Sequence, residues 1–262
     1  MMISCVVFLT DFGATDWYVA AMKGSVLSRA PESTLVDLSH TVPPGDVAHA
    51  DFLLEQTWRW YPPESVFVVV VDPGVGTERR AIAVRAAERM FVAPDNGVLT
   101  SALEEPGAEV REIDPERVGA GPLSATFHGR DLFAPAAAAL AEGAAFASVG
   151  ELTQDAVRLP RSQPSLDGDR AQAHVVYVDR FGNAITDLKE GDLREWLGKA
   201  KLRVQAGTAE IEGLSRTYGD APTGTALALI GSTGRLEIAV ADAHAGTRLG
   251  LAPGTTIELS KK

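Results

Sequence analysis

The chain has 262 residues, of which 45% are hydrophobic and 23% charged, the balance of a globular protein that buries a core in one or two domains. It contains 24 Lys and Arg residues and 35 Asp and Glu residues. The resulting net charge of −11 argues against a nucleic-acid or membrane-surface partner. The single cysteine, Cys5, excludes an internal disulfide and a cysteine-based metal site.

The first half of the chain alternates apolar runs with helix-like stretches. The first run ends at Asp11 without a basic leader, which favours a buried strand over a signal peptide and a cytoplasmic location. No apolar stretch approaches the roughly 20 residues of a membrane span. The unbroken VFVVVV run predicts a central strand covered on both faces, and Asp46 is a predicted helix N-cap. Strands are predicted at residues 4–10, 34–38, 66–71, 81–85 and 90–93, and helices at 16–29, 46–58 and 131–142.

This alternation predicts an α/β N-terminal domain over residues 1–155, with a largely parallel sheet and flanking helices. Residues 156–170 carry two prolines and few large apolar side chains, which is typical of a linker. Residues 171–262 are predicted to form a smaller β-rich domain, a barrel or a sandwich. Its short apolar runs lie at residues 174–179, 202–204, 226–230, 236–240 and 256–259, with one helical stretch at 192–197.

Polar side chains follow several predicted strands. Asp11, Asp72 and the Asp95-Asn96 pair each come at a strand end, and His128 precedes a predicted helix. An aspartate in such a position is usually a turn or cap residue. Ligands of open α/β sheets bind beyond the carboxyl ends of the strands, so three such sites favour one shared crevice.

The Asp72 loop, DPGVGTERR, has two interpretations. It is a hairpin with solvated arginines, or Asp72 and Arg79 meet across the loop, where an ionised carboxylate can orient a small polar nucleophile. The loop lacks the Walker lysine and the spacing of a dinucleotide fingerprint, which argues against both nucleotide classes. Of the five histidines only His128 stands where a ring can face the crevice and exchange protons, and the others show no metal-ligand spacing.

In the second half, the segment VDRFGNAIT offers Phe181 to stack on a flat ring and Asn183 to read a base edge. Spacing alone favours a simple hairpin in which Gly182 and Asn183 supply positive φ angles. Ser232 and Glu237 likewise fit a turn followed by a strand.

Seven motifs in a fixed order span nearly the whole chain. They are TDFG at 10–13, MKG at 22–24, DPGVGT at 72–77, APDNGVLT at 93–100, FHGRDLFAP at 127–135, DRFGNAIT at 179–186 and GRLEIAV at 234–240. Together they resemble the S-adenosyl-L-methionine (SAM) hydroxide adenosyltransferases, the adenosine-forming SAM hydrolases related to the fluorinase and chlorinase enzymes. The resemblance implies an α/β domain followed by a barrel-like domain, in a homotrimer whose sites lie at subunit interfaces.

The resemblance also implies residue roles, with no metal and no cofactor besides the substrate SAM. It assigns catalysis to Asp72, Arg79 and His128, and the ribose hydroxyls to Asp11. It assigns binding of the adenine and methionine ends of the substrate to Asp179, Phe181, Asn183, Tyr218, Ser232, Glu237 and the backbone near Val240. Two positions depart from the family pattern, because Gly231 stands where an asparagine is usual and Ala243-His244-Ala245 replaces a Gly-Asn-Ala segment.

The implied reaction is attack of water or hydroxide at the ribose 5′ carbon, with methionine leaving. Halide transfer at the same carbon and a non-catalytic adenosine or SAM sensor are the alternatives. Asp72 lies where the resembling halogenases carry an uncharged residue, and His128-Gly129 where the fluorinase has Tyr and Ser. The chain is also short between Arg85 and Met90, where the fluorinase has a long insertion. These three differences favour hydroxide.

Overall fold

The computed structural model describes residues 5–262, so the first residue of the predicted strand 4–10 lies outside the described part. The chain divides into two compact units, an N-terminal unit that ends at residue 159 and a C-terminal unit of residues 160–262. The division falls inside the predicted linker, which also holds a short strand.

The N-terminal unit is built on a seven-stranded sheet in the order β2-β1-β3-β5-β4-β6-β7. Strands β1, β2, β3 and β5 pair in parallel, whereas β4, β6 and β7 add antiparallel pairs, so the sheet is mixed. The short turn between β4 and β5 can close only an antiparallel hairpin, since a parallel connection needs a long crossover. The strands are β1 (Cys5–Thr10), β2 (Thr34–Ser39), β3 (Val66–Val70), β4 (Ala81–Ala86), β5 (Arg89–Pro94), β6 (Glu109–Ile113) and β7 (Gly150–Thr153).

Helices cover both faces of this sheet, which confirms the predicted α/β class. One apolar cluster packs α1 and α4 on one face, and a second packs α2 and α3 on the other, so β3 is buried along its whole length. Asp46 caps α2 as predicted, accepting a hydrogen bond from the His49 backbone N–H at 3.0 Å. The helices are α1 (Tyr18–Leu27), α2 (Val47–Thr57), α3 (Thr100–Leu103) and α4 (Ala134–Ala141), with 3-10 turns at Trp58–Trp60 and Phe146–Ser148 and a π-helical turn at Gly129–Phe133.

The C-terminal unit is a barrel-like antiparallel sheet in the order β12-β11-β15-β9-β10-β14-β13, with β8 added beside β9. Its end strands β12 and β13 are also in contact, and inward apolar side chains fill the interior. Among the alternatives raised by the sequence, the barrel is the better description. The elements are β8 (Ser165–Asp167), β9 (Arg170–Val178), β10 (Ala184–Lys189), α5 (Glu190–Leu197), β11 (Leu202–Ala206), β12 (Ala209–Glu212), β13 (Ala226–Ile230), β14 (Arg235–Val240), α6 (Ala245–Leu249) and β15 (Thr256–Lys261), with a 3-10 turn at Tyr218–Asp220.

Candidate active site

Asp72, Arg79 and His128 form one hydrogen-bonded set in the N-terminal unit. Arg79 Nε donates to both Asp72 oxygens at 3.1 and 3.0 Å, and Arg79 Nη2 donates to Asp72 Oδ2 at 2.5 Å. The same Nη2 lies 2.8 Å from His128 Nδ1. A single guanidinium therefore joins a carboxylate at the end of β3 to an imidazole that precedes the π-helical turn.

The partners of His128 define its tautomer. A guanidinium only donates, so Nδ1 of His128 accepts from Arg79 and carries no hydrogen. Burial, reinforced by the adjacent Arg79 charge, lowers the pKa of His128, which keeps the ring neutral near pH 7. The remaining proton then sits on Nε2, and since this N–H donates no hydrogen bond within residues 5–262 it is left for a ligand oxygen.

The loop that carries Asp72 and Arg79 is not a hairpin. β5 lies between β3 and β4 in the sheet, so the hairpin interpretation of this segment is wrong. Gly76 has φ of +77°, and a Cβ there would lie 2.1 Å from the Ala125 carbonyl oxygen. This glycine thus allows the loop to touch the segment leading into His128.

Aromatic packing holds the guanidinium in place. The Arg79 side chain is nearly buried, and its Cζ lies 5.3 Å from the centre of the Phe133 ring in the π-helical turn. Since Phe133 belongs to the turn that begins just after His128, both partners of the Arg79–His128 bond are positioned by the same short segment.

Asp11 follows β1, and its Oδ2 accepts a hydrogen bond from the Gly45 backbone N–H at 2.8 Å. Within residues 5–262, Oδ1 accepts no hydrogen bond and is the oxygen left for a ligand. The side chain is half-buried, at the strand end where the sequence placed it.

Asp95 and Asn96 stabilise the loop after β5. Asp95 Oδ2 accepts from Arg80 Nη2 at 2.6 Å, and its Oδ1 accepts from the Val157 N–H at 2.8 Å. Asn96 Nδ2 donates to the carbonyl oxygen of Val71, the residue before Asp72. These groups are occupied by the protein itself, so they support the position of Asp72.

In the C-terminal unit, Asp179, Phe181 and Asn183 lie in the hairpin between β9 and β10. The Asp179 carboxylate accepts from the N–H groups of Phe181 and Asn183 at 2.9 Å, and from Asn183 Nδ2 at 3.0 Å. Gly182 alone of the predicted pair has a positive φ, +92°. The Phe181 ring is 79% exposed, which presents one apolar face at the tip of the hairpin.

Tyr218 and Glu237 form a second polar pair in this unit. The Tyr218 hydroxyl donates to Glu237 Oε1 at 2.5 Å, and the Glu237 side chain is almost wholly buried in β14. Burial raises the pKa of Glu237, with a further contribution from the Asp179 charge that the Tyr218 bond opposes. A Cβ on Gly231 would lie 2.1 Å from Glu237 Oε2, so the glycine leaves room for the carboxylate.

The remaining predicted positions lie at the two ends of β14. Ser232 is exposed in the turn before the strand, and Val240 is its buried last residue, forming an isolated bridge with Ala243. The departure at His244 has a structural role, because its Nδ1 accepts from the Thr247 N–H and caps α6.

Among residues 5–262, no group of three or more His, Cys, Asp or Glu side chains has the arrangement of a metal site. No helix in the same range has the length and apolar character required to cross a membrane. One further group of polar residues, which the sequence pattern did not predict, lies beside Asp11: His40 is hydrogen-bonded to both Thr10 and Asp37. Their positions near the carboxyl ends of two strands that pair in parallel could have indicated that these side chains meet.

The mixed α/β sheet, the barrel-like antiparallel unit and the Asp–Arg–His set at the strand ends are features of a two-domain α/β enzyme. The SAM hydroxide adenosyltransferase N-terminal domain model matches residues 6–150, and the corresponding C-terminal domain model matches residues 173–258. The chain therefore belongs to the SAM hydroxide adenosyltransferase family.

Individual relatives are similar to this chain over most of its length. An (R)-S-adenosyl-L-methionine hydrolase of Salinispora arenicola is 42% identical over 97% of this chain and 96% of its own. A fluorinase of Nocardia brasiliensis is 33% identical, covering 89% of each chain. The crystal structure of an uncharacterized conserved protein from Thermotoga maritima superposes with a TM-score of 0.90 at 36% identity, over 97% of this chain and 99% of that one.

Proposed function

We propose that the protein hydrolyses SAM to adenosine and L-methionine by in-line attack of water or hydroxide at the ribose 5′ carbon. The observation that carries the proposal is the hydrogen-bonded set of Asp72, Arg79 and His128. It occurs in a family member whose hydrolase relative is more similar to this chain than its fluorinase relative is.

The proposed reaction does not require a general acid. The sulfonium leaves as the neutral thioether of methionine, so the leaving group needs no proton. The oxygen of water forms a bond to C5′ as the C5′–S bond breaks, and one proton of the water is released. Catalysis then depends on holding the water in line and excluding bulk solvent, and positioning of this kind supplies several kcal/mol.

His128 and Arg79 suit the developing hydroxide. The Nε2–H of neutral His128 donates to the nucleophile oxygen, which favours its hydroxide character. Asp72 holds the Arg79 guanidinium through three N–H to oxygen contacts and thereby fixes the imidazole as well. The set is already formed without the substrate, which lowers the reorganisation needed at the moment of reaction.

The binding roles follow the chemistry of each side chain. A carboxylate oxygen of Asp11 matches the ribose hydroxyls, and Asp179 or Glu237 matches the methionine ammonium. The exposed Phe181 ring suits stacking on adenine. The remaining contacts to the adenine and methionine ends are assigned to Asn183, Tyr218, Ser232 and the backbone near Val240.

Halide transfer at the same carbon is disfavoured by charge. A halide about 4 Å from an isolated carboxylate would be repelled by roughly 4 kcal/mol at an effective dielectric of about 20, and the Arg79 guanidinium bound to Asp72 offsets part of this repulsion. Water has no such penalty and donates a hydrogen bond to a carboxylate. A non-catalytic SAM or adenosine sensor needs no pre-formed Asp–Arg–His set.

The test is incubation with SAM in oxygen-18-labelled water, followed by chromatography and mass spectrometry. We expect adenosine labelled at the 5′-hydroxyl, unlabelled methionine and no 5′-halo-nucleoside at high chloride or fluoride. Asp72→Asn, which keeps the shape but loses the charge, should bind SAM and turn it over far more slowly. Stoichiometric binding without adenosine would establish a sensor, and a halo-nucleoside would establish halide transfer.

Finer properties are part of the same proposal. The relative's name specifies the R configuration at sulfur, and we extend this preference to the present chain. The comparison of R and S epimers as substrates checks it. We further propose a cytoplasmic homotrimer with its sites at subunit interfaces, acting without a metal or an additional cofactor, as the family resemblance implies.

A further inference from the structure

A continuous chain of hydrogen bonds runs from Lys23 to the end of β1. Lys23 Nζ donates to Asp37 Oδ2 at 2.6 Å, and Asp37 Oδ1 lies 2.8 Å from His40 Nε2. His40 Nδ1 in turn lies 2.8 Å from Thr10 Oγ1, and Thr10 is fully buried. The series joins α1, β2 and β1 through side chains alone.

The donors and acceptors of this series are consistent with one arrangement of protons. Partial burial acts to raise the pKa of Asp37, but the hydrogen bonds from Lys23 and His40 outweigh it and lower the pKa. The carboxylate therefore accepts from His40 Nε2–H, which leaves Nδ1 as an acceptor for the Thr10 hydroxyl. The Thr10 oxygen then accepts from the Phe12 backbone N–H at 3.3 Å.

The same two segments are tied twice more. The Gly13 N–H donates to the His40 carbonyl oxygen at 2.7 Å, and the Gly45 N–H donates to Asp11 Oδ2 at 2.8 Å. Asp11 thus lies between Thr10 and Gly13, both of which are bonded to His40. Its backbone has little freedom to rotate while these contacts persist.

We propose that Thr10 and His40 are positioning residues that orient the Asp11 carboxylate toward the ribose of the substrate. The proposal rests on the proposed function, since it concerns substrate binding by Asp11. Loss of the Thr10 hydroxyl leaves His40 Nδ1 without its donor and frees the Phe12 N–H. The Asp11 carboxylate then samples orientations that do not match the ribose, which weakens binding more than it slows the chemical step.

The test compares three threonine variants. Thr10→Val removes the hydroxyl and keeps the shape, and Thr10→Ser keeps the hydroxyl. Thr100→Val is the matched control, because Thr100 is also fully buried, donates to the Gly97 carbonyl at 2.6 Å and accepts from the Leu159 N–H at 2.8 Å. Thermal unfolding of each variant confirms that the protein is folded at the assay temperature.

We expect Thr10→Val to raise KM for SAM roughly 3- to 10-fold, the change that corresponds to losing one neutral hydrogen bond, with kcat within about twofold of the parent. Thr10→Ser should restore KM, and Thr100→Val should lower the melting temperature without raising KM. A folded Thr10→Val protein with parental KM overturns the proposal, as does an equal rise in KM for Thr100→Val.

A second measurement separates failure of this proposal from failure of the proposed function. Nitrogen-15 resonances of the His40 ring should report a hydrogen on Nε2 and an acceptor bond at Nδ1, and that bond should vanish in Thr10→Val. A parent protein that releases no adenosine from SAM overturns the proposed function. An active parent whose His40 carries its hydrogen on Nδ1 overturns only the positioning role.

Discussion

Arg79 donates hydrogen bonds to two different acceptors, the Asp72 carboxylate and the His128 ring. The bond to His128 forms only while that ring is neutral. Neutral His128 can accept from Arg79, whereas protonated His128 would place a hydrogen on Nδ1 against the guanidinium donors. Protonation therefore breaks the set, and the pH at which this happens is lowered by burial and by the Arg79 charge. Activity should consequently persist below the ordinary histidine pKa of 6.5.

The first prediction concerns pH. We expect kcat/KM to fall as the pH drops through the lowered pKa of His128. Since the unfolded state binds this proton more readily, the stability supplied by neutral His128 is present above pH 6.5 and is lost as the pH falls through the folded-state pKa. Activity profiles and urea unfolding between about pH 5 and pH 8 measure both effects.

His128→Asn should remove this dependence from the stability curve, at a large cost in kcat. His49 provides the control. Burial also lowers the pKa of His49, but this residue lies at the start of α2 and is not part of the Asp72–Arg79–His128 set. His49→Gln should keep the parental activity profile. A parental profile in His128→Asn would remove this histidine from the mechanism.

The second prediction concerns the buried carboxyl of Glu237. Burial raises its pKa, so the stability contributed by the protonated form is present below pH 4.5 and is lost as the pH rises through the folded-state pKa. Glu237→Gln removes the charge and keeps an oxygen for the Tyr218 hydroxyl. We expect higher stability than the parent at pH 8, a smaller difference near pH 4.5, and a raised KM for SAM.

Urea unfolding at the two pH values, together with SAM kinetics, measures the opposing effects. Stability lower than that of the parent at pH 8 would mean that the charged carboxylate is favourably solvated in place. An unchanged KM for Glu237→Gln would indicate that Asp179, and not Glu237, binds the methionine ammonium.

At the scale of single elements, the hairpin between β9 and β10 depends on one glycine. Gly182 has φ of +92°, and a Cβ there would lie 2.4 Å from the His244 Cα and 2.3 Å from its Cγ. The third prediction is that Gly182→Ala destabilises the protein by at least about 2 kcal/mol, since backbone strain and a clash with the main chain add together.

Gly168→Ala is the matched control, because Gly168 has φ of +49° and a Cβ there would meet nothing within 4 Å. It should cost about 1 kcal/mol or less from conformational preference alone. Chemical unfolding of both variants makes the comparison. Equal losses would show that the contact with His244 relaxes without cost.

The elements that the sequence predicted are those with strong local signals. β3 is apolar throughout and buried, and Asp46 caps α2. β10 was missed because Thr186 and Asp187 interrupt its apolar pattern, yet both are buried and hydrogen-bonded, Thr186 to the Leu236 carbonyl and Asp187 to the His174 N–H. These partners are distant in sequence, so no local pattern reveals them.

The contacts of the candidate site are likewise of two kinds, those between residues of one loop and those that form only when distant strands pair. The contact between Asp72 and Arg79 was one of two interpretations of a single loop, and the structure shows this contact. The role of His40 was not predicted, because its partners Thr10 and Asp37 come together only when β1 and β2 pair. The catalytic and binding roles of all these residues stay predictions until the variants are measured.

At the scale of the whole molecule, several large aromatic side chains are exposed. Trp60 is 88% exposed and Trp17 64% exposed in the N-terminal unit, and Phe181 is exposed in the C-terminal unit. Single exposed aromatic rings are common on protein surfaces, and aromatic side chains are also enriched in the core of protein interfaces. The net charge of −11 on each chain opposes association with further copies, and salt screens this repulsion.

The last prediction is that the homotrimer implied by the family resemblance becomes more stable as the ionic strength rises. A trimer buries part of the exposed aromatic surface, and screening at physiological salt reduces the mutual repulsion of three acidic chains. Size-exclusion chromatography with light scattering should give three times the chain mass, and specific activity should fall on dilution at low salt sooner than at physiological salt. Because the proposed sites lie at subunit interfaces, loss of activity should coincide with dissociation. A monomer that retains full specific activity at the dilution where scattering shows no trimer would contradict the proposed assembly.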